Sequence, residues 1–223
     1  LRILSDSLSL KRCHDIGIKK TKLCPDMSWA FDSKHQRKVN QTNRVMVNLR
    51  NSIFDDTDDT FIQATVQRCK DVLRVIQKET AGNMKVCVAY QISEDAEFSK
   101  QVAEILKNDF DVEYIDHQMR LEELAEHYGN VDCHISNRMH SLLAGYKYGS
   151  LPISLIDTKH HVKIAGTLQD CKLEDLMVDI YAPLDEQALT GLVKNRAAVM
   201  DRLWKCEQEK VEEIHNILKY VCK

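Results

Sequence analysis

Residues 131–148 read VDCHISNRMHSLLAGYKY. Val131 to Ile135 is a strand-like run, and His140 to Tyr148 has the character of a helix. Ser136 and Asn137 between them are residue types that cap helices, so the backbone N–H groups that follow face outward at the positive end of the helix dipole. A strand that turns directly into a helix predicts a βα unit. Open α/β sheets bind their ligands at such turns, beyond the carboxyl ends of the strands.

The same alternation extends outward on both sides. Arg44 to Leu49 (RVMVNL) reads as a strand, and Asp55-Asp56-Thr57-Asp58-Asp59 leads into a helix from Thr60 to Glu79. Met84 to Tyr90 is the next strand, with Ser93 capping a helix that runs to Asn108. Phe110 to Ile115 is a strand followed by a short helix, Arg120 to Tyr128, and Leu151 to Ile156 (LPISLI) is the last strand. Strands and helices alternating at this spacing require βαβ crossovers and a mainly parallel sheet. The expected fold is α/β, a Rossmann-like parallel sheet with helices on both faces, over residues 44–184.

The two ends read differently. Residues 1–43 combine a helix, Ser9 to Ile16 stopped by Gly17, a short strand at Lys22-Leu23-Cys24, and a polar, exposed linker from Ser33 to Asn43. Residues 185–223 read as helical, broken or bent near Gly191, with apolar points at Leu189, Leu192, Val199, Leu203, Val211, Ile214 and Leu218. A terminal helix of that length can pack across a neighbouring domain. The chain begins at Leu1 without an initiator Met and enters patterned sequence at once, which suggests an excised fragment.

The composition sets limits on function. Apolar residues are 43% and charged residues 29% of the 223, the balance of an ordinary globular protein. The net charge of −3, from 31 Lys+Arg against 34 Asp+Glu, excludes a broad nucleic-acid surface, so an anion site has to be local. No apolar run approaches the roughly 18 residues of a membrane span. The eight cysteines contain no C-x-x-C pair and several lie in apolar stretches. They read as buried, reduced thiols of a cytosolic protein, with neither a disulfide frame nor a zinc site expected.

The candidate site is the turn itself. Arg138 brings a planar fork suited to a carboxylate or phosphate, and His140 a titratable donor; Asn137 and Ser141 flank them. Arg50 follows its strand directly, and Lys159, His160, His161 and Lys163 follow Ile156, so all five belong to the same sheet edge. His160 and His161 are adjacent and therefore point apart, which argues against their sharing a metal ion. Met139 should turn inward to pack. His134, within a strand, reads as structural, and His14, His127 and His215 as surface residues. From the residues alone, a capped helix whose Arg and His merely meet solvent is as good a reading as an anion site.

A family resemblance adds to this. The run from Val131 to Ala144 resembles the polysaccharide pyruvyl transferase signature, an aspartate-led strand ending in Arg-Leu-His-Ser/Ala. Gly149 to Leu155 resembles the family's Gly-x-Pro strand, which leads to a lysine matching Lys159 or Lys163. Pro25-Asp26 with Ala30-Phe31, Asn48-Leu49-Arg50, and Ser5 to Leu10 with Gly17-Ile18 resemble further family stretches in the same order. Ser5 stands where the family usually carries an Arg, with Arg2 close by.

The resemblance implies the C-terminal, donor-binding half of a fold similar to two-domain GT-B glycosyltransferases, with the Gly-rich N-terminal domain as a missing partner. It implies phosphoenolpyruvate as donor substrate with no further cofactor, and a sugar or lipid-linked glycan as acceptor. Transfer of the enolpyruvyl unit to a pair of sugar hydroxyls would form a ketal in cell-surface polysaccharide synthesis. Arg138 and His140 would be catalytic, with Asn137, Ser141, Arg50, Lys159 and Lys163 binding substrate and no metal. The implied location is cytoplasmic, with peripheral attachment at the inner membrane face as a further option; the fragment alone should be inactive. Two other readings stay open: a nucleotide-sugar-binding domain of a GT-B glycosyltransferase, and a non-catalytic relative, motivated by Ser5.

Overall fold

The computed structural model describes residues 2–34, 36–51, 59–80 and 82–221. In chain order the elements are β1 (Arg2–Leu4), α1 (Ser7–Asp15), β2 (Thr21–Leu23), β3 (Arg44–Asn48), α2 (Asp59–Glu79), β4 (Lys85–Tyr90) and α3 (Ala96–Leu106). There follow β5 (Asp111–Gln118), α4 (Leu124–Tyr128), β6 (Cys133–Ser136), α5 (Met139–Lys147), β7 (Leu151–Ile156), α6 (Val162–Asp170), β8 (Met177–Asp179), α7 (Glu186–Lys194) and α8 (Arg196–Val221). β1 and β2 pair as a small parallel sheet. The other six strands form one parallel sheet in the order β5-β4-β3-β6-β7-β8.

This order places the reversal of winding between β3 and β6, the position at which doubly wound sheets open a ligand crevice. Side-chain alternation along the central strands explains why both faces are covered. Val45, Val47, Val86 and Val88 enter the larger apolar core. Met46, Cys87 and Ala89, one residue out of phase, enter a second cluster with Ile115, Leu124 and Tyr128. The expected α/β architecture and all five expected strands are present.

Several local expectations need correction. β8 was not anticipated; three residues are too few to carry a period. Ser93 opens a one-turn 3-10 helix, Ser93–Asp95, and its hydroxyl bonds Glu94 rather than capping α3. The break expected near Gly191 falls at Asn195. The Asn195 backbone N–H and side-chain amide both donate to the Gly191 carbonyl, at 3.0 and 2.9 Å, which closes α7 before α8 begins. Of the acidic run before α2, residues 55–58 lie outside the described residues, and α2 starts at Asp59.

The stretch from Ser33 to Asn43 is not simply an exposed linker. Asn40 is buried, and its amide donates to the carbonyls of Tyr128, Val131 and Tyr148 at 2.9–3.0 Å. Its backbone N–H bonds the Gly149 carbonyl at 3.0 Å. Gly149 has φ +88°, and a Cβ there would lie 2.1 Å from the Lys38 carbonyl oxygen, so this crossing admits only glycine.

The cysteine expectation is also corrected. Cys171, at the end of α6, and Cys206, on α8, form a disulfide. Thirty-five residues separate them, so the pairing depends on how α8 packs, which no local spacing reveals. Cys24, Cys69, Cys87 and Cys133 are buried free thiols, as expected, and Cys13 is half-buried.

Candidate active site

The crevice is built by two loops that leave adjacent strands side by side. β3 and β6 end in register at Asn48 and Ser136. Ser136 Oγ donates to the Asn48 carbonyl at 2.7 Å and accepts the Arg138 N–H at 3.0 Å. Asn137, 1% exposed, extends the ladder with its side chain: Oδ1 accepts the Arg50 N–H and Nδ2 donates to the Arg50 carbonyl, both at 2.9 Å. The side-chain amide thus does what a further strand residue would do, and it fixes where Arg50 leaves the sheet. Neither Ser136 nor Asn137 caps α5. Arg138 occupies the N-cap position in extended conformation, and its side chain makes no capping bond.

Arg138 and Arg50 share the crevice but differ in partners. Arg138 pairs with the buried carboxylate of Asp95, from the turn that follows β4. Arg50 has no carboxylate partner among the described residues. Burial, and then the neighbouring Arg138 charge, push its pKa below the ordinary value, so it gains from any anion that approaches. The Nε–H groups of both guanidiniums are buried, with no partner among the described residues.

A second arm comes from the N-terminal residues. Asp26 caps the 3-10 turn Met27–Ala30. Its Oδ2 lies 2.6 Å from Lys163 Nζ and 3.4 Å from His140 Nε2. The His140 contact, followed by Lys163 and the bonds from Ser28, holds the Asp26 carboxyl far below the usual carboxylate range against the opposing effect of burial. His140 is at the surface, on the first turn of α5, while Met139 beside it is buried as expected.

These groups surround a cavity of about 430 Å³ lined by Arg50, Asn137, Arg138, His140, His161 and Lys163, among others. Of the residues proposed from sequence, Arg50, Asn137, Arg138, His140 and Lys163 are brought together. Ser141 and Lys159 are not among the residues that line the cavity. Ser141 is fully buried and bonds Tyr128 Oη and His134 Nε2, each at 3.0 Å. Lys159 is exposed, with its carbonyl accepting from Arg12 at 3.4 Å. His134 is buried, and burial lowers its pKa to about 3, in keeping with a neutral structural ring.

Asp95 and Gln91 were not singled out as site residues, His161 was read only as one of four residues at the sheet edge after Ile156, and Asp26 entered only through the resemblance. The sequence signal for Asp26 is the Pro-Asp before a short turn; Asp95 has none, since its role exists only across the sheet. His160 and His161 do point apart: His160 Nδ1 contacts Asp157 at the surface, whereas His161 is buried. Among the described residues one group, His117, Glu123 and His127, brings three metal-type ligand atoms within 4.8 Å of one another. It joins the end of the edge strand β5 to the turn and helix that follow, and shares no residue with the cavity lining. No helix among the described residues is long and apolar enough to cross a membrane.

Fold and crevice together define a Rossmann-type domain of the GT-B kind with a basic pocket at its switch point. The chain belongs to the polysaccharide pyruvyl transferase family, a family of transferases, whose model matches residues 6–149. A solved structure, that of the Thermobaculum terrenum O-GlcNAc transferase mutant K341M, is similar in fold, with a TM-score of 0.52 at 9% identity. The similarity covers 98% of this chain and 44% of that one, so the chain spans less than half of that enzyme. No curated protein sequence matches the chain.

Proposed function

We propose that this chain is the donor-binding half of a pyruvyl transferase that moves the enolpyruvyl unit of phosphoenolpyruvate onto a pair of sugar hydroxyls. The observation that carries the proposal is the charge arrangement of the crevice. Arg138 is neutralised and oriented by Asp95, while Arg50 beside it has no carboxylate partner among the described residues. Buried N–H donors without acceptors are costly, and a small anion bearing both phosphate and carboxylate oxygens satisfies them.

The chemistry follows from that placement. A proton delivered to the methylene carbon of phosphoenolpyruvate makes C2 electrophilic. One sugar hydroxyl then attacks C2 and gives up its proton, the C2–O bond to phosphate breaks and hydrogen phosphate departs, and the second hydroxyl closes the ketal as its own proton returns to the base left by the first step. In this reading His140, 3.4 Å from Asp26, donates the first proton, and Arg50, Arg138 and Lys163 offset the charge that builds on the departing phosphate. The acceptor sugar would be presented by a second domain.

Ligand choice tests the reading. Calorimetric titration of the chain should give saturable binding of phosphoenolpyruvate and weaker binding of uridine or guanosine diphosphate. The reverse preference would make this a nucleotide-sugar site instead, and binding of none would favour a non-catalytic relative.

A further inference from the structure

We infer that His161 is a further anion-binding residue of this crevice, a neutral imidazole that presents its Nε2–H to an oxygen of the bound donor. It deepens the proposed function and depends on it only for the identity of the ligand. His161 is 4% exposed and its ring lines the cavity. Its Nδ1 lies 3.0 Å from the Asp157 backbone nitrogen and 3.2 Å from the Asp157 carbonyl oxygen.

That carbonyl already accepts from the backbone N–H groups of His160 and His161, at 3.2 and 2.9 Å. Nδ1 therefore serves the Asp157 N–H as acceptor, and the ring proton sits on Nε2. Nε2, at the far side of the ring, is buried with no partner among the described residues. Burial, helped by the Arg50 charge, lowers the imidazole pKa to about 4, so the ring is neutral at physiological pH. Phe61, with its ring centroid 6.1 Å away, restricts the plane of the imidazole.

A fixed neutral donor suits a crevice already holding Arg50 and Arg138. It gives direction to an anion's oxygen without adding a third buried positive charge. His161 also lies beyond the residues 6–149 matched by the family model.

Long-range proton–nitrogen spectra of the labelled 223-residue chain read the tautomer directly. Near neutral pH, His161 should show a bare Nδ1 and a protonated Nε2, and phosphoenolpyruvate should shift the Nε2–H resonance. His161→Phe keeps a flat apolar ring and removes the donor, so affinity should fall roughly ten- to hundred-fold. His161→Gln restores an N–H at similar reach and should recover part of the loss, which a purely structural role would not produce.

A proton found on Nδ1, or a folded His161→Phe chain that binds as tightly as wild type, overturns the inference. If His161→Phe does not fold, the wild-type resonance decides, and one unmoved at saturation overturns it. If wild type ignores phosphoenolpyruvate, inorganic phosphate and uridine diphosphate replace it in the same titrations. The proposed function then fails, while the His161 contact stands or falls on whether binding of that anion weakens in the variant. A chain that binds none of the three overturns both.

Discussion

Asp26 and Asp95 give the crevice its electrostatic order. Asp95 holds Arg138 in place, and Asp26 ties Lys163 to the edge of His140. Because His140 is exposed and only loosely held at 3.4 Å, it is free to approach a substrate. In the complete enzyme His140→Ala should lower turnover more than it raises KM, measured by steady-state kinetics; equal effects on both would remove its role as proton donor. Asp26 carries a pH signature. Its pKa is depressed on folding, so the stability it contributes is fully present above the unfolded value, about 4, and is lost as pH falls below that. Denaturant unfolding should show Asp26→Asn less stable than wild type near neutrality, with the gap narrowing in acid. A gap that widened in acid would contradict the tether.

At the scale of elements, the decisive unit is β6, its turn and α5. The turn was legible because strand, capping residues and helix are local and contiguous, and the Arg-x-His spacing lies within it. Asn137 was legible as a polar loop residue but not as a clamp, since its partners on Arg50 lie 87 residues away. Asn40 hid its role in the same way, three carbonyls of other elements satisfied from within a polar tract. α7 runs through Gly191 and ends at Asn195, whose side-chain amide and backbone N–H both engage the Gly191 carbonyl, a competition that residue type alone does not reveal. Asn137→Ala strands the Arg50 N–H and carbonyl. It should cost about 1–3 kcal/mol of stability in denaturant unfolding, and should weaken anion binding by releasing Arg50. A variant of wild-type stability would mean that the strand extension contributes nothing.

Across the whole molecule, the parallel order was legible from alternating strands and helices. The fastening of the N-terminal and C-terminal segments to it was not. Lys147, buried on α5, donates to the Trp29 carbonyl at 2.9 Å and pairs with Glu207 of α8, joining three parts of the chain distant in sequence. The Cys171–Cys206 disulfide holds α8 to the end of α6 in the same manner. Thiol titration under denaturing conditions should therefore give two more thiols per chain after reduction than before. An identical titre in both states would show that the pair is reduced in solution.

The central claim is that the crevice between β3 and β6 holds a phosphoenolpyruvate-type anion through its two guanidiniums. Calorimetric titration of phosphoenolpyruvate into wild type, Arg50→Ala and Arg138→Ala tests it most directly. The account predicts one saturable site in wild type and a roughly ten- to hundred-fold loss of affinity in each variant, each with circular dichroism like that of wild type. Wild-type affinity in both variants would contradict it.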